Sequence, residues 1–185
     1  MLSRYWDREK GGLFFAAEDG EDLLLRKKES GDGAVPSGNS VAFLNLLRLA
    51  RFFGDRDLEK RAGDMGRTFS RTIQTYPSGH SFFLSALDFA LGPSYEVVIV
   101  GDKKAEDTKA MACAIQSRFI PNKVLLLKGE GKSGSDMDSV TPLFKDRNSL
   151  GGRATAYVCS EDRCLTPATD IREMLALMND EGTIR

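Results

Sequence analysis

The sequence predicts an α+β protein in which part of a helical (α/α) toroid, residues 1–92, precedes a small α/β domain, residues 93–185. Two observations support this class. Residues 40–91 carry apolar side chains at helical spacing, whereas residues 96–159 change period and contain short apolar runs of strand length around a single helical segment. Gly92-Pro93 stops the last predicted helix of the first pattern and marks the predicted domain boundary.

Three predicted helices of the first domain differ in how far their apolar surface extends. The segments 40–53 and 79–91 are apolar around most of the circumference and are expected to be buried on nearly all sides. The segment 57–73 between them carries a single apolar stripe. This alternation is typical of the inner and outer helices of a toroid built from αα-hairpins. Three or four helices cannot close such a ring, so we expect the chain to be cut from a larger protein.

The second domain is predicted to hold three strands and two helices. The predicted elements are strand 96–100, helix 105–118, strand 123–127, strand 154–159 and helix 171–178. Strand, helix and strand joined by short connections indicate parallel pairing with right-handed crossovers. A short, mostly parallel sheet is therefore expected.

Composition argues against several classes of partner. The chain has 26 basic and 27 acidic residues and a formal charge of −1, so neither nucleic acid nor a membrane surface is an expected partner. The first residues hold no apolar run of signal-peptide length, and the longest apolar runs are too short to span a bilayer. Three cysteines are too few for a disulfide framework, and a cytoplasmic location is expected.

The most unusual segment is residues 32–40, which gathers small and polar residues directly before the first strongly apolar helix. Ser37, Asn39 or Ser40 could cap that helix, or could contact a ligand in the central cavity of a toroid, and the sequence leaves both open. His80, the only histidine, precedes another strongly apolar helix. It is the natural candidate for proton transfer, although a lone histidine at a helix start is more often a surface or capping group.

Cofactor and metal motifs are incomplete in this chain. Cys159 and Cys164 have neither redox C-x-x-C spacing nor a second ligand pair, so two ordinary thiols are favoured over a disulfide, a redox pair or a zinc site. Gly101 is a single glycine where a dinucleotide fingerprint needs three, and Gly131-Lys132-Ser133 lacks the leading glycine of a P-loop. No cofactor and no metal site are expected.

Several segments together carry a resemblance to a known family. They are Gly11 to Phe15, Arg26 with Lys28-Glu29, Asp32-Gly33-Ala34 with Pro36 to Ser40, Ala86 to Asp88, Glu96 to Gly101, and Ala156 to Cys159 with Cys164 and Pro167. In this order they resemble the thioredoxin-domain-containing proteins related to the spermatogenesis-associated thioredoxin-like protein. Members of that family join a thioredoxin-like domain to a toroid similar to N-acylglucosamine 2-epimerases and six-hairpin glycosidases. The resemblance implies carbohydrate binding, with epimerase or glycosidase chemistry as an expectation. Related epimerases carry an acid near the position of Asn39, where an amide cannot act as a base.

Three functional hypotheses follow. The first is a cavity for a small carbohydrate, in which aromatic rings stack on the sugar and polar groups bind its hydroxyls. Asp32 and His80 are the predicted acid/base pair of this cavity, whose wall is predicted to include Tyr5, Trp6, Asp32, Ser37, Asn39 and His80. The second is a non-catalytic interaction or structural module, whose uncovered inner helices pack against the remainder of a larger protein or against a second copy. The third is a redox accessory that uses Cys159 and Cys164.

Overall fold

The computed structural model of the 185-residue chain describes residues 1–20, 25–130, 138–160 and 163–178. The structure is α+β, with helices and one four-stranded sheet. It divides into two compact units. The first comprises Met1–Ala50 and Asp55–Leu91, and the second comprises Arg51–Gly54 and Gly92–Arg185.

The first unit contains α1 (Leu2–Tyr5), α2 (Gly38–Phe53) as far as Ala50, α3 (Arg56–Thr75) and α4 (Ser81–Leu91), and a 3₁₀ turn (Pro77–His80) precedes α4. The three long helices predicted from apolar spacing are thus present. Asp55 begins α3, because its carboxylate accepts the N–H groups of Asp57 and Leu58 at 2.8 and 3.1 Å. The stripe predicted on α3 faces the core, where Ala62, Met65, Phe69 and Ile73 are buried.

Aromatic packing holds α2, α3 and α4 together. The Phe83 ring stacks on Phe43 at 4.5 Å between centroids and meets Phe69 edge-on at 5.9 Å. The described residues of this chain do not cover α2 and α4 on all sides, and their burial within a larger protein stays a prediction. Leu49 on α2 is 43% exposed and Leu91 on α4 is 78% exposed. The reason is geometric, since packing in this unit covers only one side of each of these helices.

The second unit contains β1 (Tyr95–Val100), α5 (Glu106–Gln116), β2 (Lys123–Lys128), a 3₁₀ turn (Pro142–Phe144), β3 (Thr155–Ser160), β4 (Arg163–Cys164) and α6 (Ile171–Ala176). The strand order is β2-β1-β3-β4. No helix within the described ranges of the chain is long and apolar enough to cross a bilayer.

The prediction of a mostly parallel sheet is wrong. Only β1 and β2 pair in parallel, whereas β1 with β3 and β3 with β4 pair antiparallel. The crossover through α5 brings the chain back so that β2 begins beside the start of β1 and runs parallel to it. β3 starts beside the end of β1, with Thr155 opposite Val100, and runs back antiparallel to it.

The two faces of the sheet are covered differently. Val97 and Ile99 belong to a core that includes Met111 and Ile115 of α5 and Met174 of α6. The alternate residues of β1 lie on the opposite face, where Val98 and Val100 pack against Phe144. Glu96 and its partner on β3, Cys159, continue this second face toward β4.

Candidate functional site

The carboxylate of Asp32 caps α4. One oxygen accepts the backbone N–H groups of Phe82 and Phe83 at 2.9 and 3.1 Å, and the other accepts the N–H of Ser37 at 2.9 Å. Burial raises the pKa of Asp32, but these donors and the Ser40 hydroxyl outweigh it and hold the pKa below its ordinary value. An ionised carboxylate held by three N–H groups is stabilised as an anion, which fits a helix cap better than proton exchange.

Both nitrogens of the His80 ring have partners. The side chain is only 3% exposed, with Nδ1 2.8 Å from the Tyr76 carbonyl oxygen and Nε2 3.2 Å from the Ser30 hydroxyl. Because a carbonyl can only accept, we assign the proton to Nδ1, and Nε2 then accepts from Ser30 in the neutral ring. This arrangement fixes the loop before α2 to the turn before α4.

The polar residues of the Pro-Ser-Gly-Asn-Ser segment bind the backbone of their own unit. The Asn39 amide oxygen accepts the Leu13 N–H at 2.7 Å, and its NH₂ group donates to the carbonyls of Leu13 and Glu29 at 2.9 and 2.7 Å. Ser37 precedes α2, and its hydroxyl accepts the Ser40 N–H at 3.1 Å. Capping, one of the two interpretations left open by the sequence, therefore has the required geometry.

The residues predicted to form one cavity wall do not line a single cavity. Tyr5 and Asn39 line a cavity of about 280 Å³, whose other lining residues are Met1, Leu13, Phe14, Phe15, Glu29 and Gly38. Trp6 lines a second cavity of about 530 Å³, where the Arg61 guanidinium lies 5.3 Å from the indole ring. Asp32, Ser37 and His80 are among the lining residues of neither cavity. The structure thus brings together only part of the predicted set.

Sequence reasoning missed an ion pair between Asp7 and Lys28. The Lys28 ammonium lies 2.7 Å from the Asp7 carboxylate and 2.9 Å from the Gly11 carbonyl oxygen. Burial raises the pKa of Asp7, but the lysine and the N–H groups of Glu9 and Lys10 lower it to about 2. Gly11-Gly12 signals the tight turn beside this pair, whereas nothing in the sequence indicates a partner 21 positions away.

The second unit contains a disulfide that the sequence reasoning disfavoured. Cys159 and Cys164 are bonded to each other, so the expectation of two ordinary thiols is wrong in this structure. The reason is the strand pairing, which sets the two cysteines directly opposite each other on β3 and β4. The guanidinium of Arg147 contacts both sulfurs, with Nη2 2.9 Å from Cys159 Sγ and 3.2 Å from Cys164 Sγ.

Two further motifs of the sequence analysis concern metal and nucleotide binding. No group of three or more His, Cys, Asp or Glu side chains is placed to hold a metal ion there. The segment Gly131-Lys132-Ser133, with its partial likeness to a P-loop, lies outside the described residues.

Comparison with known proteins finds relatives that are much longer than this chain. Spermatogenesis-associated protein 20 of Homo sapiens is 38% identical over 176 residues, which cover 95% of this chain and 22% of the human protein. The rat protein of the same name is 36% identical over the same shares. An uncharacterized protein of Caenorhabditis elegans is 27% identical over 95% of this chain and 23% of its own length. The chain therefore spans about a fifth of the length of these curated relatives. No family profile and no solved structure matches it.

Proposed function

We propose that the first unit of this chain is a non-catalytic module of a longer protein, in which α2, α3 and α4 form part of the wall of an (α/α) toroid. The longer protein would belong to the thioredoxin-domain-containing family that the sequence resembles. We place it in the cytoplasm, with neither nucleic acid nor a membrane as partner. Its role is to pack against the remainder of that protein or against a second copy.

One observation carries the proposal: the polar groups predicted for catalysis are already bound within the fold. Asp32 accepts three backbone N–H groups, and both nitrogens of His80 have partners. Withdrawing either group for proton transfer would leave buried backbone groups without partners, at a cost of about 1–3 kcal/mol each. The same contacts stabilise the loop that leads into α2, so structure accounts for these residues without chemistry.

The uncovered side of α2 indicates where the partner packs. Val41 and Leu49 lie eight residues apart on this helix and are 38% and 43% exposed. Eight residues are slightly more than two helical turns, so both side chains lie on the same side. Inner helices of a toroid are covered by neighbouring helices, and the relatives are long enough to supply them.

Sedimentation velocity over a range of protein concentrations tests the packing proposal. We expect the chain to self-associate through this uncovered face, and the substitution Leu49→Lys should weaken the association about tenfold or more. Gln74→Lys is the matched control, since Gln74 is exposed on α3 rather than on α2 and the substitution adds the same charge. Equal effects of the two lysines contradict the proposal, and a chain that remains monomeric at every concentration rules out packing against a second copy.

A small carbohydrate in the 280 Å³ cavity is a second candidate function. The observation in its favour is the lining, in which the rings of Tyr5 and Phe14 accompany the side chains of Glu29 and Asn39. Aromatic faces stack on sugar rings and the carboxylate accepts hydroxyl protons, so binding needs no catalytic pair.

Calorimetric melts with a panel of mono- and disaccharides test this second function. A ligand that binds only the folded state must raise the melting temperature. The shift should disappear in Tyr5→Ala and persist in Phe119→Ala, a matched loss of a ring that is 94% exposed. If no sugar raises the melting temperature of the unaltered chain, the carbohydrate proposal fails and the packing proposal stands alone.

A further inference from the structure

The disulfide lies beside the Arg147 guanidinium and offers it only weak hydrogen-bond acceptors. Arg147 Nη2 contacts both sulfurs, but disulfide sulfur is a weak hydrogen-bond acceptor. The other terminal nitrogen, Nη1, is buried and has no hydrogen-bond partner among the described residues. A half-buried guanidinium with such partners costs free energy, and burial accordingly lowers the pKa of Arg147. The Tyr157 and Glu96 side chains raise the pKa of Arg147 in part, and a thiolate in place of the disulfide would add a negative charge in direct contact with the guanidinium.

The two sulfurs differ in accessibility. Cys159 is 3% exposed and lies on β3 inside the sheet, whereas Cys164 is exposed on the short edge strand β4. An external nucleophile therefore reaches the Cys164 sulfur more readily. The leaving sulfur is then Cys159, the one whose Sγ lies closer to the Arg147 guanidinium.

Other charged and titratable groups around the sulfurs do not remove this asymmetry. Glu96 on β1 is the strand partner of Cys159 and would oppose a thiolate, but the Arg51 guanidinium lies 3.7 Å from its carboxylate. The Tyr157 ring, on the same face of the sheet, lies 5.5 Å from the Arg147 guanidinium carbon. Arg163 is exposed on β4 and precedes Cys164 in the chain.

We propose that the Cys159–Cys164 pair is a site of thiol–disulfide exchange with a dithiol reductant, in which Arg147 stabilises the Cys159 thiolate. A thiolate of the reductant attacks Cys164 Sγ, the bond between Cys159 and Cys164 breaks, and Cys159 leaves as a thiolate beside Arg147. The second thiolate of the reductant then attacks the reductant's first sulfur, which is bonded to Cys164 in the mixed disulfide, and Cys164 is released. The chain gains two electrons, the reductant becomes a disulfide, and its two protons pass to Cys164 and to solvent. This activity lies in the second unit and is independent of the function proposed above.

Equilibration of the full chain with defined ratios of reduced and oxidised dithiothreitol tests the proposal. All variants carry Cys113→Ser, which removes the exposed free thiol. Aerobic protein should show no reactive thiol, and dithiothreitol should reduce the pair while near-ultraviolet circular dichroism remains native. Arg147→Met should raise the dithiothreitol ratio at half-reduction about tenfold, the effect expected for one hydrogen bond to a charged group. Arg163→Met, which removes a nearby charge that contacts neither sulfur, should leave the ratio within about twofold.

Three results would overturn the proposal: two free thiols in native aerobic protein, a disulfide reduced only after unfolding, or equal ratios for the two arginine variants. The reduced protein provides a further measurement that needs no Arg147 variant. A pH titration of its absorbance at 240 nm should show that one thiol ionises with a pKa well below the ordinary value of about 8.5. A titration with both midpoints near 8.5 would contradict the assigned role of Arg147 even if Arg147→Met does not fold.

Discussion

The substitution Asn39→Asp tests whether position 39 is structural or belongs to an active site. The Asn39 side chain is 3% exposed, and its NH₂ group donates to the carbonyls of Leu13 and Glu29. A carboxylate would leave both carbonyls without a donor and place negative charge against them. At about 1–3 kcal/mol for each buried group that loses its partner, we expect the free energy of unfolding to fall by about 3–5 kcal/mol at pH 7.

Urea denaturation followed by tryptophan fluorescence measures this loss, because the single tryptophan, Trp6, lies in the same unit as Asn39. Asn45→Asp is the control, since its side chain is exposed on the same helix and the change should stay within about 0.5 kcal/mol. Burial against two carbonyls raises the pKa of the introduced acid above its unfolded value. The deficit should therefore shrink as pH falls and the acid becomes a donor. A loss below about 1 kcal/mol at pH 7 would refute the structural role and favour the active-site interpretation.

Two further predictions concern the loops of the first unit. The pKa of Asp7 is lowered from 3.8 to about 2, so its stabilisation of about 2 kcal/mol is present above about pH 4 and is lost as pH falls toward 2. Acid titration of the unfolding free energy should show this slope, and Asp7→Asn should remove it; parallel slopes in both proteins would contradict the assignment. Gly12→Ala should destabilise by about 1–3 kcal/mol, because Gly12 has a φ of +81° and an added Cβ would lie 3.0 Å from the Phe69 ring. Gly33→Ala, where an added Cβ meets nothing within 4 Å, should change stability by no more than about 0.5 kcal/mol, and an equal loss at both glycines would refute the reasoning.

Helix positions followed from local sequence because their causes are local. The four buried residues of α3 recur at spacings of three and four, and Asp55 stands where a helix cap is favoured. Strand direction had no such local cause. The direction of β3 depends on what connects it to β2, and the composition of residues 129–154 does not reveal whether that segment crosses the sheet.

The role of Asp32 could not be read from its neighbours, because two of its three partners are the N–H groups of Phe82 and Phe83, fifty positions away. A carboxylate among small residues fits a ligand site and a helix cap equally well. Only the fold supplies the distant helix end that decides between them. The spacing of the two cysteines likewise failed to predict the disulfide. Ser160 of β3 pairs with Arg163 of β4, and this pairing places Cys159 and Cys164, five positions apart, directly opposite each other.

Among the described residues, buried donors without partners occur in both units, at Arg26 Nε in the first and at Arg147 Nη1 in the second, so it is what surrounds each donor that separates the candidate sites. In the loop and helix starts of the first unit, Asp32, Asn39 and His80 are bound by neighbouring groups, so a ligand there would have to displace existing contacts. Arg147 at the disulfide instead retains a buried nitrogen with no partner among the described residues. A hydrogen-bond donor without a partner, beside a disulfide whose cleavage produces a thiolate, is a reason to expect a chemical role. Polar groups that are all hydrogen-bonded within the fold are a reason to expect a structural role. The chemistry of this chain is therefore better sought at Cys159 and Cys164 than at the residues that most resemble a sugar site.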